Sequence, residues 1–427
     1  MIKKIVVSLC LLISLSALAQ EGTSSPYSFY GIGDVKFKGT IDTRSMGSLS
    51  VFPDSIHLNL QNPAHFASLK LTAFAIGGTY GNTKSKSETD DAKARRTTFD
   101  YLAIGIPVGK LGIGFGLIPY SSVGYKIEKK SPVINSLTDT IYNRYNGIGG
   151  VNKVFLGFGY QLTKKINIGA DVQYNFGTIE TTNLETQNEV QYGSKETNTS
   201  NAQGFNVDFG ATYQTKINKK FSFFSSLSYT PEHSIKLENS RKIEVVQFSP
   251  GGEVNPIQTE TIAVPNTTIK LPSKLSFGSG FGELKKWLIG GEVTFLNNSV
   301  ISNRFVDIEG ATFENATRYS LGGYFIPNYN SYSSYLKRIT YRAGLRYENT
   351  GLVINNESTY FRDKPINDFA ANIGFGLPLG GSFSKIDIGF EMGKRGTKYY
   401  NLVEENYFNI SVGLSLSDKW FVKRKFD

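Results

Sequence analysis

In INIGADVQYNFG, residues 166–177, apolar and polar side chains alternate without a slip. Ile166, Ile168, Ala170, Val172, Tyr174 and Phe176 fall on one face, and Asn167, Gly169, Asp171, Gln173, Asn175 and Gly177 on the other. FNVDFGATYQ (205–214) and KIDIGFEMG (385–393) repeat the pattern. A period of two is the strand period, and no helical period fits these stretches. The chain is therefore read as all-β.

A soluble sandwich strand alternates too, so three further observations choose the environment. The alternating stretches run for about 10 to 14 residues, nearer the length of a tilted membrane-crossing strand than the ~5 to 6 of soluble strands. Aromatic residues gather at their ends, among them Tyr80, Tyr120, Tyr160, Tyr174 and Trp287, in a chain with 44 glycines and 13% aromatics. The connections also keep a rhythm. Strands near 70–80, 98–106, 110–121, 150–162, 166–179, 203–216, 221–248, 258–282, 286–297, 338–348, 351–360, 367–378, 384–393 and 406–416 are joined alternately by short turns and mostly longer polar loops. Short periplasmic turns and long outer loops mark a transmembrane barrel. In lipid an open sheet edge leaves backbone groups unpaired at several kcal/mol each, so the sheet closes. The expected fold is a transmembrane antiparallel β-barrel of about 14 strands, at residues 67–416.

The beginning of the chain, MIKKIVVSLCLLISLSALAQ, has a basic start, an apolar run and the small-x-small step Ala17-Leu18-Ala19. This is the pattern of a cleaved export signal, expected at 1–19. Cys10 is the only cysteine and lies inside that run. The processed chain then offers no disulfide, cysteine–metal site or thiol nucleophile. The formal charge of +10 includes Lys3 and Lys4, which leave with the leader. The other lysines sit partly in pairs at turns, such as Lys164-Lys165 and Lys219-Lys220, which suits solvated turns better than a nucleic-acid surface. The expected location is the outer membrane of a Gram-negative-type envelope, with its lipids and lipopolysaccharide as surroundings.

Fourteen strands enclose more space than wall side chains can fill. Residues 20–66 do not alternate. They carry Pro26, Pro53, Pro63 and scattered Phe and Tyr, too apolar for a disordered tail. They are read as an N-terminal plug, or hatch, folded in the lumen. Asn62-Pro63-Ala64 ends it, because proline cannot donate to a ladder and restricts the residue before it. Residues 417–427 are left as a periplasmic tail.

Four stretches in order resemble the FadL/TodX family of outer-membrane transporters of long-chain fatty acids and other hydrophobic compounds. RSMGSLSVFPDSIHLNLQNPAHFA looks like the family's hatch, ending in its Asn-Pro-Ala motif; LGIGFGLIPYSSVGYKI looks like its third strand. YTPEHSIKLENS, with Tyr229, Glu232 and Ile235, and the Leu271-Pro272 strand followed by Trp287 are similar to two further segments. The hatch lacks the fuller small and acidic run of that motif, and the chain ends on Asp427 rather than an aromatic. The chain is also similar, more distantly, to PorV-type barrels, which serve a protein secretion system.

The resemblance implies a transporter for long-chain fatty acids or other hydrophobic small molecules. It would act by lumenal binding, hatch movement (Asn62, Pro63, Ala64) and lateral exit through a kink in the third strand. Pro119 cannot make a ladder bond, so a break near Pro119-Tyr120-Ser121, above Gly116, is expected. The residues themselves allow either a simple bulge or an opening there. In TYRAGLRYE, Tyr341, Ala343, Leu345 and Tyr347 share the lipid-facing register, which turns Arg342 and Arg346 into the lumen. There they meet an acidic head group or pair with Glu348 or the plug. The alternative is a secretion-system component or shuttle, or a structural or partner-binding barrel. No enzyme is expected: Ser382 to Lys385 fits Ser-x-x-Lys but crosses a turn, and YGIGD lacks the strand-to-helix context of a phosphate loop. His57 and His65 lack metal-ligand spacing, so neither metal nor cofactor is expected.

Overall fold

The computed structural model describes residues 22–37, 39–133, 139–188, 190–249, 254–305, 311–354, 364–379, 383–400 and 402–419. The expected leader, Cys10, Ser382 and residues 420–427 of the tail lie outside the described residues. After a short strand β1 (Asp34–Val35) and a one-turn helix α1 (Ile41–Arg44) come β2 (Thr72–Lys86), β3 (Asp91–Val108), β4 (Leu111–Pro132) and β5 (Thr140–Gln161). Next are β6 (Ile166–Gln187), β7 (Tyr192–Lys216), β8 (Ser222–Thr230), β9 (His233–Phe248), β10 (Val254–Ile262), β11 (Thr267–Leu271) and β12 (Lys274–Glu283). The chain continues through β13 (Trp287–Leu296), β14 (Ala311–Phe313), β15 (Ala316–Phe325), β16 (Thr340–Ile354), β17 (Lys364–Pro378), β18 (Lys385–Arg395) and β19 (Glu404–Asp418).

These form fourteen wall strands. β8 and β9 are one strand interrupted at Pro231, and β11 and β12 one interrupted at Pro272, because each proline removes a ladder donor. Every pairing is antiparallel, and β19 returns to β2 from Glu404↔Lys86 to Asp418↔Thr72, which closes the cylinder. The burial pattern is inverted relative to a soluble protein. Phe115, Val172, Phe205, Phe277, Ile373 and Met392 are each more than half exposed, while Asp171, Gln173, Asn206, Asp208, Asn372 and Asp387 are buried. An apolar exterior around a polar interior is the arrangement of a barrel bathed in lipid. No described helix is long and apolar enough to cross a membrane.

Fourteen is the expected number, but two of the expected boundaries are corrected. Ala316–Phe325 is a wall strand inside the expected loop 298–337, and the expected strand 338–348 and the first part of the expected strand 351–360 belong to the single strand β16, residues 355–360 lying outside the described residues. Asn349-Thr350-Gly351 reads as a hairpin turn, yet it forms a bulge. The β16–β17 register shifts between Asn349 and Val353, with Gly351 at φ 73° and its N–H donating to Asn349 Oδ1 at 3.1 Å. The two corrections cancel in the count but reverse the direction of residues 340–348 and place 326–339 at the end where the short turns lie. The third wall strand, expected to end at 121, continues to Pro132. β4 to β7 run for 22, 22, 22 and 25 residues, about twice what a crossing needs, so their far halves stand above the bilayer on one side of the rim.

Candidate functional site: a filled lumen and a split in the wall

The N-terminal segment before β2 makes contact with every wall strand. Arg44 bonds β2, β3 and β19 through Thr79, Asp100 and Ser411. Asn62 reaches β8 through Ser226, Ser50 reaches β13 through Glu292, and Asp42 reaches β18 through Lys385. The remaining strands meet it through inward residues. Gly112 on β4, Gly157 on β5, Gly169 on β6, Gly210 on β7, Gly280 on β12, Gly322 on β15, Gly344 on β16 and Gly374 on β17 have no room for a Cβ beside it. A glycine inside a strand marks a place where another group comes close, and here that group belongs to the chain's own start.

Asn62-Pro63-Ala64 opens the 3-10 turn Pro63–Ser68. Asn62 Oδ1 accepts from Ala64 N at 3.0 Å, a helix-cap contact, while its Nδ2 donates to Ser226 Oγ at 2.9 Å and Leu227 O at 3.0 Å. Pro63 takes the first position of the turn, where no N–H is needed. His65 is buried and its Nε2 lies 2.6 Å from Ser50 O, while Nδ1 has no partner. Burial pushes its pKa down to about 4, against the weaker upward pull of that carbonyl bond. The docked segment thus holds His65 neutral, while a released segment takes up a proton near pH 6.5. Docking strength is full above about pH 6.5 and is lost as pH falls toward 4, by roughly 3 kcal/mol. Amide exchange of residues 48–68 is expected to speed up between pH 6.5 and 4.5 in the wild type beyond the intrinsic pH effect, and to lose that excess in His65→Gln.

Ionic contacts tie the segment to the wall in three places: Asp42–Lys385 at 3.2 Å, Arg44–Asp100 at 2.9 Å and Asp34–Arg395 at 2.8 Å. Burial pushes the Asp42 carboxyl up, but Lys385 and Arg342 together hold it below the usual carboxylate range. Arg342 itself pairs with Asp387 at 2.8 Å near the short-turn end. Arg346 lies higher, within about 3.2 Å of Glu348, Asp368 and Glu391. Both arginines face the lumen, and both are engaged by carboxylates.

The wall itself is split. β3 and β4 pair over seven residues, from Val108↔Leu111 to Leu102↔Leu117, and then part. Seven residues rise roughly 18 Å at the usual tilt, less than the ~25 Å height of a typical apolar band. Among the described residues, β1 alone pairs with the edge of β4 that β3 leaves above it, by Asp34↔Ser122 and Val35↔Ser121. Lys36 N donates to Tyr120 O at 2.8 Å and Ser121 Oγ to Ile32 O at 2.8 Å. The β4–β5 register slips between Pro119 and Ser121. Tyr120, at the break in β4, turns inward under Lys153 Nζ, 4.1 Å from the ring centroid. The fold therefore brings Pro119, Tyr120 and Ser121 together at the split. Gly116, paired with Ala103, sits in the closed ladder below them, and the Asn62 turn and Arg342 are elsewhere.

A cavity of about 270 Å³ lies between segment and wall behind β1. Its apolar lining includes Ile32, Val35, Phe37, Tyr120, Pro272 and Leu296, and Arg346 is among its charged residues. An outer loop latches the segment beside it. Arg304, 1% exposed, donates from Nη1 to Gly31 O at 2.6 Å and from Nη2 to Phe29 O at 3.1 Å, and Asn303 Oδ1 accepts from Gly31 N at 2.9 Å. No carboxylate pairs with Arg304 among the described residues, and burial holds its pKa down to about 10. Neither β1 nor Arg304 stands out in the sequence. The one local sign is YGIGD, where Gly31 and Gly33 have φ of 57° and 92° and turn the chain into β1.

The BamG family model matches residues 1–427. Among solved structures, the Pseudomonas putida toluene transporter TodX is 17% identical, with a TM-score of 0.59, 91% of this chain and 100% of that chain covered. The Ralstonia pickettii toluene transporter TbuX is 13% identical (TM-score 0.57, 90% and 99% covered), and a Pseudomonas aeruginosa FadL homologue 11% (0.56, 90% and 98%). No curated protein matches. The likeness to these structures is one of fold: a fourteen-stranded outer-membrane barrel of the FadL type.

Proposed function

This chain belongs to the BamG family, and we propose that it is an outer-membrane barrel through which a small hydrophobic molecule leaves the lumen sideways, into the bilayer, between β3 and β4. The observation that carries this reading is the end of the β3–β4 ladder at Leu102↔Leu117, with a two-residue strand of the N-terminal segment as the cover. Removing an apolar compound from water is favourable by ~25 cal/mol/Å², so a side exit into lipid avoids a second crossing of water. Arg342 and Arg346 are both paired with carboxylates, so the fit is to a neutral apolar compound rather than to an acidic head group. A cavity of about 270 Å³ suits a molecule of toluene size better than an extended fatty acid. Native mass spectrometry of protein extracted in mild detergent is expected to find an apolar molecule, and cells lacking the protein to take up toluene more slowly. An empty barrel together with unchanged uptake would overturn this reading.

A second reading has its own observation. The far halves of β4 to β7, with β9 and β10, stand above the bilayer as a one-sided sheet, a surface larger than a conduit requires. Under this reading the barrel is sealed and acts as a component of a larger assembly, such as a secretion-system part or a partner-binding barrel. Stoichiometric co-purification of a partner, with uptake unaffected by loss of the chain, would favour it over transport.

A further inference from the structure

Residues 326–339, IPNYNSYSSYLKRI, join β15 to β16 at the end where the other described connections are short turns. The loop is built rather than slack. Ile326 N donates to Lys286 O at 2.6 Å, Asn328 N to Lys337 O at 2.8 Å and Arg338 N to Tyr335 O at 3.0 Å. Ile326 and Ile339 are both 6% exposed and fix its two feet. What it presents is unusual for a water-facing turn: Tyr332 is 102% exposed and Leu336 65%, with Tyr329 and Tyr335 also exposed. Cations stand over two of these rings. Lys285 Nζ is 4.8 Å from the Tyr329 centroid and Arg338 Cζ 5.4 Å from that of Tyr335. The loop contains no acidic residue, and Glu283 in the neighbouring turn is paired with Lys286 at 3.2 Å.

We propose that this loop is a docking surface for the head groups of anionic phospholipids in the periplasmic leaflet. Its position follows from continuity with the lipid-facing wall. Phe281 and Trp287, and Tyr341 and Phe375, form ring pairs at 5.7 and 5.9 Å at this rim, and Phe325 at the end of β15 is 49% exposed. The loop hangs from that band by Tyr341 OH to Leu336 O at 3.2 Å and Tyr335 OH to Pro378 O at 3.2 Å. Tyrosines with lysine and arginine beside them are the side chains that sit at head-group level, ring in the interface and charge at the phosphate. Lys285, Lys337 and Arg338 supply the positive charge, and a phosphodiester is the anion found at that depth. The inference is independent of what passes through the lumen.

The test uses the full chain in nanodiscs of zwitterionic lipid with a minor share of phosphatidylglycerol. Native mass spectrometry is expected to show phosphatidylglycerol retained above its share of the disc. Retention should fall about fivefold for each cation removed in Lys285→Gln, Lys337→Gln and Arg338→Gln. A heat-modifiable gel shift reports that each variant is folded. An environment-sensitive dye on Tyr332→Cys is expected to be shielded from an aqueous quencher in these discs. Unchanged lipid retention in the triple variant would overturn the proposal. So would a dye open to quencher in pure lipid and shielded only in native envelopes, which would assign the loop to a protein partner.

Discussion

Replacing Gly344 with valine is expected to drive the N-terminal segment off its seat and leave the barrel leaky. A Cβ at Gly344 falls within the van der Waals radii of Met46 and Gly47 backbone atoms, and one at Gly322 on the next strand meets Met46 O. Gly47 has φ 70°, and a Cβ there would in turn strike Leu321 O and Leu345 O. Backbone thus lies on backbone, with no flexible side chain to give way. The wall cannot yield either, because β16 is fixed by ladders to β15 and β17. Overpacking typically costs 1–3 kcal/mol. The loss of neighbouring contacts brings the expected weakening of docking to about 3 kcal/mol or more, with the wall itself intact. Ion conductance in planar bilayers is expected to rise from near silence to frequent openings, and added protease to cut within the segment. Gly291→Ala is the matched control, since its Cβ meets nothing closer than Ser320 O at 3.5 Å. Equal conductance in both variants would show that the segment is not what fills the bore.

Arg304→Ala is expected to have the second largest effect, and on a different part of the molecule. A hydrogen bond from a charged group is worth about 1.5–3 kcal/mol, and Arg304 makes two, to Gly31 O and Phe29 O. Their loss frees the stretch that leads into β1, whose own ladder on β4 is only two residues long. The expected outcome is a local closure weakened by about 3–5 kcal/mol. Amide exchange of residues 29–36 should then accelerate by two orders of magnitude or more, while residues 62–68 stay protected. If the split is the exit, uptake of an apolar compound rises or loses its saturation. Arg304→Lys cannot span both carbonyls and is expected to restore little, because an ammonium lacks the planar fork of a guanidinium. Unchanged exchange in Arg304→Ala would remove the latch.

Where each wall strand hides apolar side chains from water by pointing them at lipid, the period of two is plain in the sequence. Residues 166–177 and 205–214 were legible for that reason. Alternation also sets Arg342 and Arg346 on the face opposite Tyr341, Leu345 and Tyr347. It failed at residues 316–325, where Thr317 and Gly323 thin the apolar face and Tyr324 stands on the opposite one, and at Asn349-Thr350-Gly351, where turn chemistry serves a bulge inside a strand. The reversed direction of 340–348 hid the loop at 326–339. The break at Pro119 was legible because proline acts on its own strand. What closes that break was not: β1 is two residues whose partners lie 86–88 positions further along, and Arg304 meets Gly31 from 273 positions away. A contact made by folding one end of a chain through its own barrel leaves no local period to read.

The most direct measurement is a disulfide between Val35→Cys and Ser121→Cys, partners across the β1–β4 ladder. The natural chain has one cysteine, Cys10, within the expected leader, so no other thiol competes in the processed protein. Mild oxidation of intact cells is expected to form the bond in most molecules and to stop sideways passage until a reductant restores it. If instead both thiols stay free under oxidation and react fully with a membrane-impermeant maleimide, the segment does not close the wall, and the filled, side-opening barrel is contradicted.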